Sequence, residues 1–269
     1  MIAAGISTYA LGWNFDPSLG DPMSPGALLD LCGRLGYRRL QVADNLPLHL
    51  MPGAERREFI GCAGARGIAL EAGARGLTAD HLATCLGIAR ECGSPFLRMV
   101  IDAPGYEPSV REISGLLRET LPILEKTQVI LAIENHDRLS VSELRKIMGH
   151  LDSPWVGICL DTANSLGAGE GIREVVHALG PYAVNVHLKD IRIRRLPSMQ
   201  GFTVEGTPLG AGQIPLEWVL SKLERCQSAT LEHWMPPLPD PAATRARELD
   251  WCAQSTLAMR RLFPHDFKL

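Results

Sequence analysis

The sequence lacks a charge excess of either sign and a long apolar run, and we expect no secretory leader; each of these features argues against a class of protein. Among 269 residues, 27 Lys and Arg face 30 Asp and Glu, so the net charge of −3 offers no basic surface to nucleic acid. No apolar stretch approaches the roughly 18 residues that span a bilayer, and the first ten residues have no basic or long apolar segment. We therefore expect a cytoplasmic protein that binds a small molecule, with neither nucleic acid nor membrane as a partner.

The cysteines show no pairing pattern. There are seven, an odd number, and no two are spaced as C-x-x-C: Cys32, Cys62, Cys85, Cys92, Cys159, Cys226 and Cys252. This pattern argues against a disulfide framework and against a thiolate zinc site. We expect the cysteines to be small buried hydrophobic residues in a reducing compartment.

Short apolar runs alternate with segments of helical periodicity along the whole chain. The predicted strands are Ile2–Ser7, Arg39–Ala43, Ile68–Gly73, Phe96–Ile101, Val129–Glu134, Val156–Asp161, Ala183–Leu188 and Ala229–Glu232. The predicted helices are Ser24–Leu35, Ala54–Arg66, Asp80–Cys92, Val110–Lys126, Val141–His150, Ile172–Leu179, Pro215–Arg225 and Thr244–Leu262. Strict alternation favours parallel strands joined by crossover helices.

Eight such units predict an α/β fold, a single (β/α)8 barrel that occupies residues 1–269 as one domain. An open doubly wound sheet would alternate in the same way. That fold normally has a glycine-rich phosphate turn after its first strand, and Ser7–Gly12 contains none. The sequence therefore favours the barrel.

Two connections, Thr8–Met23 and Lys189–Gln213, are long for loops at the carboxyl ends of barrel strands, where barrel enzymes keep their chemistry. We expect Lys189–Gln213 to close over bound substrate, with glycines at 201, 206, 210 and 212 as hinges. An ordered surface excursion or an oligomer contact stays open for this segment.

Four successive strands end in a residue that binds hard or borderline metals: Glu134, Asp161, His187 and Glu232. Each alone has an ordinary explanation, such as a salt bridge, a turn or a core histidine. Together they would meet at the barrel mouth, and three carboxylates there would repel one another unless a cation were bound. We predict one divalent ion, Mn²⁺ or Mg²⁺ in first place, with Co²⁺ and Zn²⁺ open.

Several segments around these residues resemble a known family: Ile133-Glu134-Asn135-His136, Asp161-Thr162-Ala163-Asn164, His187-Leu188-Lys189-Asp190 and Leu209-Gly210-Ala211-Gly212-Gln213-Ile214. They look like the xylose isomerase-like barrel superfamily of sugar phosphate isomerases and epimerases. The resemblance implies a metal held by the four strand-end residues. It also implies that Glu134 and Glu232 act as an acid/base pair.

The sequence departs from the epimerase pattern at two positions. Asn164 stands where those enzymes have a histidine, and Ile193, with an arginine on each side, stands where they have an arginine. The His187–Asp190 string is similar to that of inosose dehydratases. A related endonuclease branch needs further strand-end histidines, and the second and third strands end without one, so nuclease function is not expected.

We therefore expect a metal-dependent isomerase or epimerase of carbohydrate metabolism that works on a small sugar or polyol through an enediolate. His136, Asn164, Lys189 and Arg192 are the predicted substrate contacts. A dehydratase of the inosose or dehydroshikimate type shares the first chemical step, and a catalytically silent sugar-binding barrel is a third alternative. A homo-oligomer is compatible with the sequence.

Overall fold

Eight parallel strands close into a barrel in the computed structural model, which describes residues 1–267. The order around the barrel is β1-β2-β3-β4-β5-β6-β7-β10, with β10 hydrogen-bonded to β1. The barrel strands are β1 (Ala3–Ser7), β2 (Arg39–Val42), β3 (Ala69–Arg75), β4 (Phe96–Val100), β5 (Ile130–Glu134), β6 (Val156–Asp161), β7 (Ala183–Leu188) and β10 (Ser228–Leu231). The predicted (β/α)8 barrel is confirmed.

Helices cover the outside of the barrel and bury its apolar outer surface. They are α1 (Gly12–Phe15), α2 (Pro25–Leu35), α3 (Gly53–Ala65), α4 (Ala79–Glu91), α5 (Val110–Thr127), α6 (Val141–Leu151), α7 (Ile172–Leu179), α8 (Leu216–Leu220) and α9 (Pro241–Leu262). Local sequence sets several of their starts. Ser109 and Ser140 each form a reciprocal capping box with the glutamate three residues later, which satisfies amide groups that the first turn leaves free. No helix within residues 1–267 is long and apolar enough to cross a membrane.

The segment predicted as a long loop after the seventh strand is an antiparallel hairpin. Its strands are β8 (Asp190–Arg195) and β9 (Phe202–Thr207), and they pair only with each other. Both strands carry an apolar/polar alternation in sequence, at Asp190–Arg194 and Phe202–Glu205, which was the available signal and was not used; the outer part of the hairpin is exposed. The predicted helix Pro215–Arg225 is also shorter in the structure, where α8 ends at Leu220.

Asp190 holds the base of this hairpin to the turn that follows it. Its carboxylate accepts hydrogen bonds from the amides of Gly210 and Gly212, both 2.9 Å long, and from the amide of Ile214 at 3.1 Å. A Cβ atom on Gly212 would overlap that carboxylate, and one on Gly206 would overlap the backbone of Trp234. These two glycines permit close packing, so they are poor hinges. The lid role of the segment stays a prediction.

We expect Gly212→Ala to destabilise the protein, because the new methyl group would displace Asp190 from the amides that it binds. The loss should be on the order of 1–3 kcal/mol in the free energy of unfolding. The matched control is Gly61→Ala in α3, where the added Cβ meets no atom within 4 Å. That variant should be neutral or more stable, since alanine favours helix over glycine. Denaturant unfolding compares the two, and equal stabilities would contradict the packing role of Gly212.

Candidate metal centre and active site

The four predicted metal ligands lie together at the carboxyl ends of adjacent strands. Glu134 ends β5, Asp161 ends β6, His187 is in β7 and Glu232 directly follows β10. The register pairs Asp161 with His187 across β6 and β7, which brings their side chains to the same level of the barrel. All four side chains are buried.

The His187 ring faces three carboxylate oxygens with one nitrogen. Its Nδ1 lies 3.4 Å from Glu134 Oε2, 3.6 Å from Asp161 Oδ2 and 3.4 Å from Glu232 Oε2. Two ligands at about 2.1 Å from one ion, with bond angles of about 90–110°, are about 3.0–3.4 Å apart. The spacings around Nδ1 are therefore close to those that a single divalent ion requires.

A polar network inside the barrel fixes which nitrogen of His187 faces the carboxylates. The Gln41 side-chain amide donates to Glu71 Oε2 at 3.2 Å and to Asn185 Oδ1 at 3.1 Å. Its oxygen therefore faces His187 Nε2, at 2.6 Å, and accepts a hydrogen bond from it. This leaves Nδ1, which has no hydrogen-bond partner among residues 1–267, as the nitrogen that can bind a metal.

The donor set at this site consists of oxygen and nitrogen. Cys159 is nearby, but its thiol donates to Asn185 Oδ1 at 3.0 Å, and burial raises its pKa to about 11. The thiol is neutral and already bonded, so we do not count it as a ligand. Three carboxylates with one imidazole can bind Mg²⁺, Mn²⁺ or Zn²⁺, so the preference for Mn²⁺ or Mg²⁺ stays a prediction.

The two glutamates differ in their surroundings. Glu134 Oε2 accepts a hydrogen bond from Arg98 Nε, and its Oε1 accepts one from Asn164 Nδ2 at 2.8 Å. Burial alone would raise the pKa of Glu134, but Arg98 and then His187 outweigh it and hold the pKa well below its ordinary value. Glu232 Oε1 is also buried but has no hydrogen-bond partner in the part of the chain that the structure describes. Glu232 thus keeps a free oxygen, whereas Glu134 does not.

Lys189 places an ammonium group beside the ligands. Its Nζ donates to Asp161 Oδ2 at 2.6 Å and lies 3.1 Å from Glu232 Oε2. It also donates to Asn164 Oδ1 at 3.0 Å. Burial lowers the pKa of Lys189, but the two carboxylates raise it more, so the group stays charged. Part of the carboxylate repulsion is therefore offset by the protein itself.

A cavity of about 190 Å³ opens onto these groups. Some of its lining residues were predicted as site residues from the sequence and others were not. The lining consists of Tyr9, Arg75, Arg98, Glu134, His136, Asn164, Lys189, Glu232, His233 and Trp234. Of the four predicted substrate contacts, His136, Asn164 and Lys189 line the cavity. Arg192 is not among its lining residues; it lies on the hairpin and donates to the carbonyl of Ala211.

Sequence reasoning missed a chain of charged residues on the opposite wall. Asp44 accepts from Arg98 Nη1 at 2.7 Å, from Arg75 Nε at 3.0 Å and from the Tyr9 hydroxyl at 2.9 Å. Arg98 is almost fully buried and links Asp44 to Glu134. A lone arginine inside an otherwise apolar strand, Phe96–Val100, was the available signal, because such a residue needs a buried partner.

The fold is a (β/α)8 barrel, and the groups at the carboxyl ends of its strands could hold a divalent ion. The profile described as "Xylose isomerase-like TIM barrel" matches residues 28–255, and the chain belongs to that family. A relative named 3-oxo-isoapionate decarboxylase, from Pectobacterium atrosepticum, is 32% identical over 238 residues, which cover 87% of this chain and 86% of the relative.

Two solved structures show the same fold at low sequence identity. D-psicose 3-epimerase from Clostridium cellulolyticum, solved with D-tagatose, has a TM-score of 0.72 and 15% identity, over 97% of this chain and 98% of that one. A xylose isomerase-like barrel protein from Mycobacterium smegmatis, solved in complex with magnesium, has a TM-score of 0.66 and 16% identity, over 95% and 97%.

We expect metal binding to release a proton from His187. In the metal-free protein burial lowers the pKa of His187, but the neighbouring carboxylates of Glu232 and Glu134 raise it further, which favours the protonated ring. An ion needs the neutral ring, so the metal affinity should rise with pH, by about tenfold per unit below the raised pKa. Titration calorimetry in buffers of different ionisation enthalpy measures the released protons.

The matched control is His136→Gln, which removes an imidazole from the same cavity but not from the ligand set. It should leave both the metal affinity and the proton release unchanged, whereas His187→Gln should weaken binding and abolish the release. Metal uptake by the parent protein without proton release would contradict the assignment of His187 as a ligand.

Proposed function

We propose that this protein is a divalent-metal-dependent enzyme that decarboxylates a short 3-oxo sugar acid and protonates the enolate that remains. The observation that carries the proposal is the inequality of the two glutamates. Both oxygens of Glu134 accept hydrogen bonds, whereas Glu232, which also lines the cavity, has a buried Oε1 without a hydrogen-bond partner among residues 1–267. A reaction with a single proton transfer suits this arrangement better than one that needs a base on each side of the substrate.

Glu134, Asp161, His187 and Glu232 would hold the ion, with Mg²⁺ or Mn²⁺ preferred for this donor set. Bound there, the ion would supply Lewis-acid polarisation of a substrate carbonyl. Gln41 keeps the His187 ring oriented, and Asn164 keeps Glu134 in place. These contacts set the positions of the ligands before substrate arrives.

The charges around the cavity suit an anionic substrate. Four carboxylates (Asp44, Glu134, Asp161 and Glu232) face three cations (Arg75, Arg98 and Lys189). With His187 neutral, as a metal ligand must be, a divalent ion turns this deficit of one positive charge into a surplus of one. Arg75 is the cation best able to use it, because only its Nε is bonded to Asp44 and its side chain is partly exposed to the cavity.

In the proposed reaction the bond between the carboxylate carbon and its neighbour breaks, and carbon dioxide leaves. The electron pair stays on the substrate as an enolate. The carbon that lost the carboxylate group then takes up one proton. No proton has to be removed from carbon, so Glu134 serves as a ligand alone. Glu232, whose Oε1 has no hydrogen-bond partner among the described residues, is assigned to take a proton from solvent and deliver it to the enolate.

The relative named 3-oxo-isoapionate decarboxylase supports this choice, because loss of carbon dioxide from any 3-oxo acid gives an enolate. An isomerase or epimerase is the second candidate. It is favoured by the presence of both Glu134 and Glu232 in the cavity wall and by the shared fold with D-psicose 3-epimerase. Dehydration would also pass through an enolate.

Incubation of the metal-loaded protein in D₂O with short 3-oxo sugar acids, and separately with neutral ketopentoses, distinguishes these reactions. We expect release of carbon dioxide from the acids and one deuteron in the ketose product, seen by NMR. The ketopentoses should neither epimerise nor exchange protons with solvent. Epimerised ketose with solvent deuterium, and no carbon dioxide from any acid, would overturn the proposal in favour of the second candidate.

The same assay compares Glu232→Gln with Glu134→Gln. At saturating metal, Glu232→Gln should lose about 10²–10⁴-fold in turnover, since an amide delivers no proton. Glu134→Gln should need more metal but then recover a large part of its turnover. Equal losses in both variants at full metal occupancy would show that Glu134 also handles a proton.

Arg75→Gln should raise the KM for the acid substrate about tenfold to a hundredfold, as expected for loss of a hydrogen bond between charged groups, with a smaller change in kcat. Arg57→Gln, on the exposed face of α3, removes a charge of the same sign far from the cavity lining and should have no effect. Steady-state kinetics checks both. An unchanged KM in Arg75→Gln would remove that residue from substrate recognition.

A further inference from the structure

A second group of metal-binding side chains lies outside the central cavity. His49 is in the loop between β2 and α3, while His81 and Cys85 are on α4. We call these three residues the rim cluster. Both elements follow the carboxyl ends of their strands, so the cluster is on the same face of the barrel as the metal centre. None of the three residues lines the cavity described above.

The rim cluster brings one sulfur and two imidazoles together. His81 and Cys85 are four residues apart on one helix, so they lie on the same face of it. The distance from Cys85 Sγ to His81 Nε2 is 3.6 Å. The rings of His49 and His81 meet edge to face with centroids 4.7 Å apart, and each residue offers a ligand atom within 4.8 Å of the other two.

The spacing between Cys85 and His81 fits a zinc ion. With a Zn–S bond of about 2.3 Å and a Zn–N bond of about 2.0–2.1 Å, a tetrahedral ion places its sulfur and nitrogen ligands about 3.6 Å apart. The Sγ–Nε2 distance in the rim cluster has this value. Cys85 is buried and the two histidines are partly exposed, so an ion could enter from solvent and rest on the sulfur.

We propose that His49, His81 and Cys85 form a second cation site, selective for Zn²⁺, with its fourth position open to water. Its sulfur and imidazole donors are softer than those of the barrel centre. The two sites would therefore take different ions. A bound ion would tie the loop after β2 to α4.

The imidazole and the thiol of the free cluster differ in how readily they could bind an ion. Burial and then the neighbouring His81 lower the pKa of His49, which leaves its imidazole neutral and able to bind a cation. Burial raises the pKa of the Cys85 thiol to about 11, so the ion would displace a proton from the sulfur. The competing interpretation is a thiol–imidazole hydrogen bond beside a packed pair of rings.

Cobalt titration of the metal-free full-length protein tests the proposal, because a thiolate ligand gives Co²⁺ an intense near-ultraviolet charge-transfer band that oxygen and nitrogen ligands do not give. We expect two equivalents to bind, with the band appearing for one of them. Zn²⁺ should then bleach the band. A protein saturated with Co²⁺ that shows no thiolate band would overturn the proposal.

Variants assign the band to the cluster. Cys85→Ser should lose the band and one equivalent, and the matched control Cys92→Ser, at the end of the same helix, should keep both. His49→Gln should weaken the second site even if Cys85→Ser folds poorly. Asp161→Ala should lose the other equivalent and keep the band, which separates this proposal from the barrel centre. A band that survives Cys85→Ser would refute the assignment.

Discussion

Buried negative charge at the mouth of the barrel is the constraint on which the site depends. Burial of carboxylates is costly unless cations neutralise them, and Glu134, Asp161 and Glu232 are all buried around His187. Lys189 forms an ion pair with Asp161 on one side of the site, and Arg98 forms one with Glu134 on the other. The negative charge that these two cations do not neutralise could be neutralised by a divalent ion.

The barrel interior below the ligands is polar as well, which is unusual for a layer that apolar residues normally fill. Gln41, Glu71 and Asn185 form a connected network there, with the amide of Asn185 also bonded to Ser228 and Thr230. This network leaves His187 a single orientation. The chemistry at the mouth is therefore positioned by side chains a full layer deeper in the barrel.

Sequence reasoning predicted the groups at strand ends and missed those inside strands. Glu134 and Asp161 were visible because each terminates an apolar run, and the barrel closes such ends around one point. Arg98 and Gln41 interrupt strands, and their partners lie on other strands 36 and 146 residues away in sequence. The pairing of such residues depends on barrel register, which periodicity alone does not determine.

Lys189 and Asp190 are neighbours in the chain with separate tasks. Lys189 contacts the predicted metal ligands, while the Asp190 carboxylate accepts hydrogen bonds from the backbone amides of the turn at residues 210–214. The hairpin is thereby closed off at its base, and its outer end is exposed around Met199. Insertions or deletions at that tip should not alter the barrel structure. The hairpin is therefore a place where relatives can diverge in sequence. A designer could also graft a new loop there without changing the site.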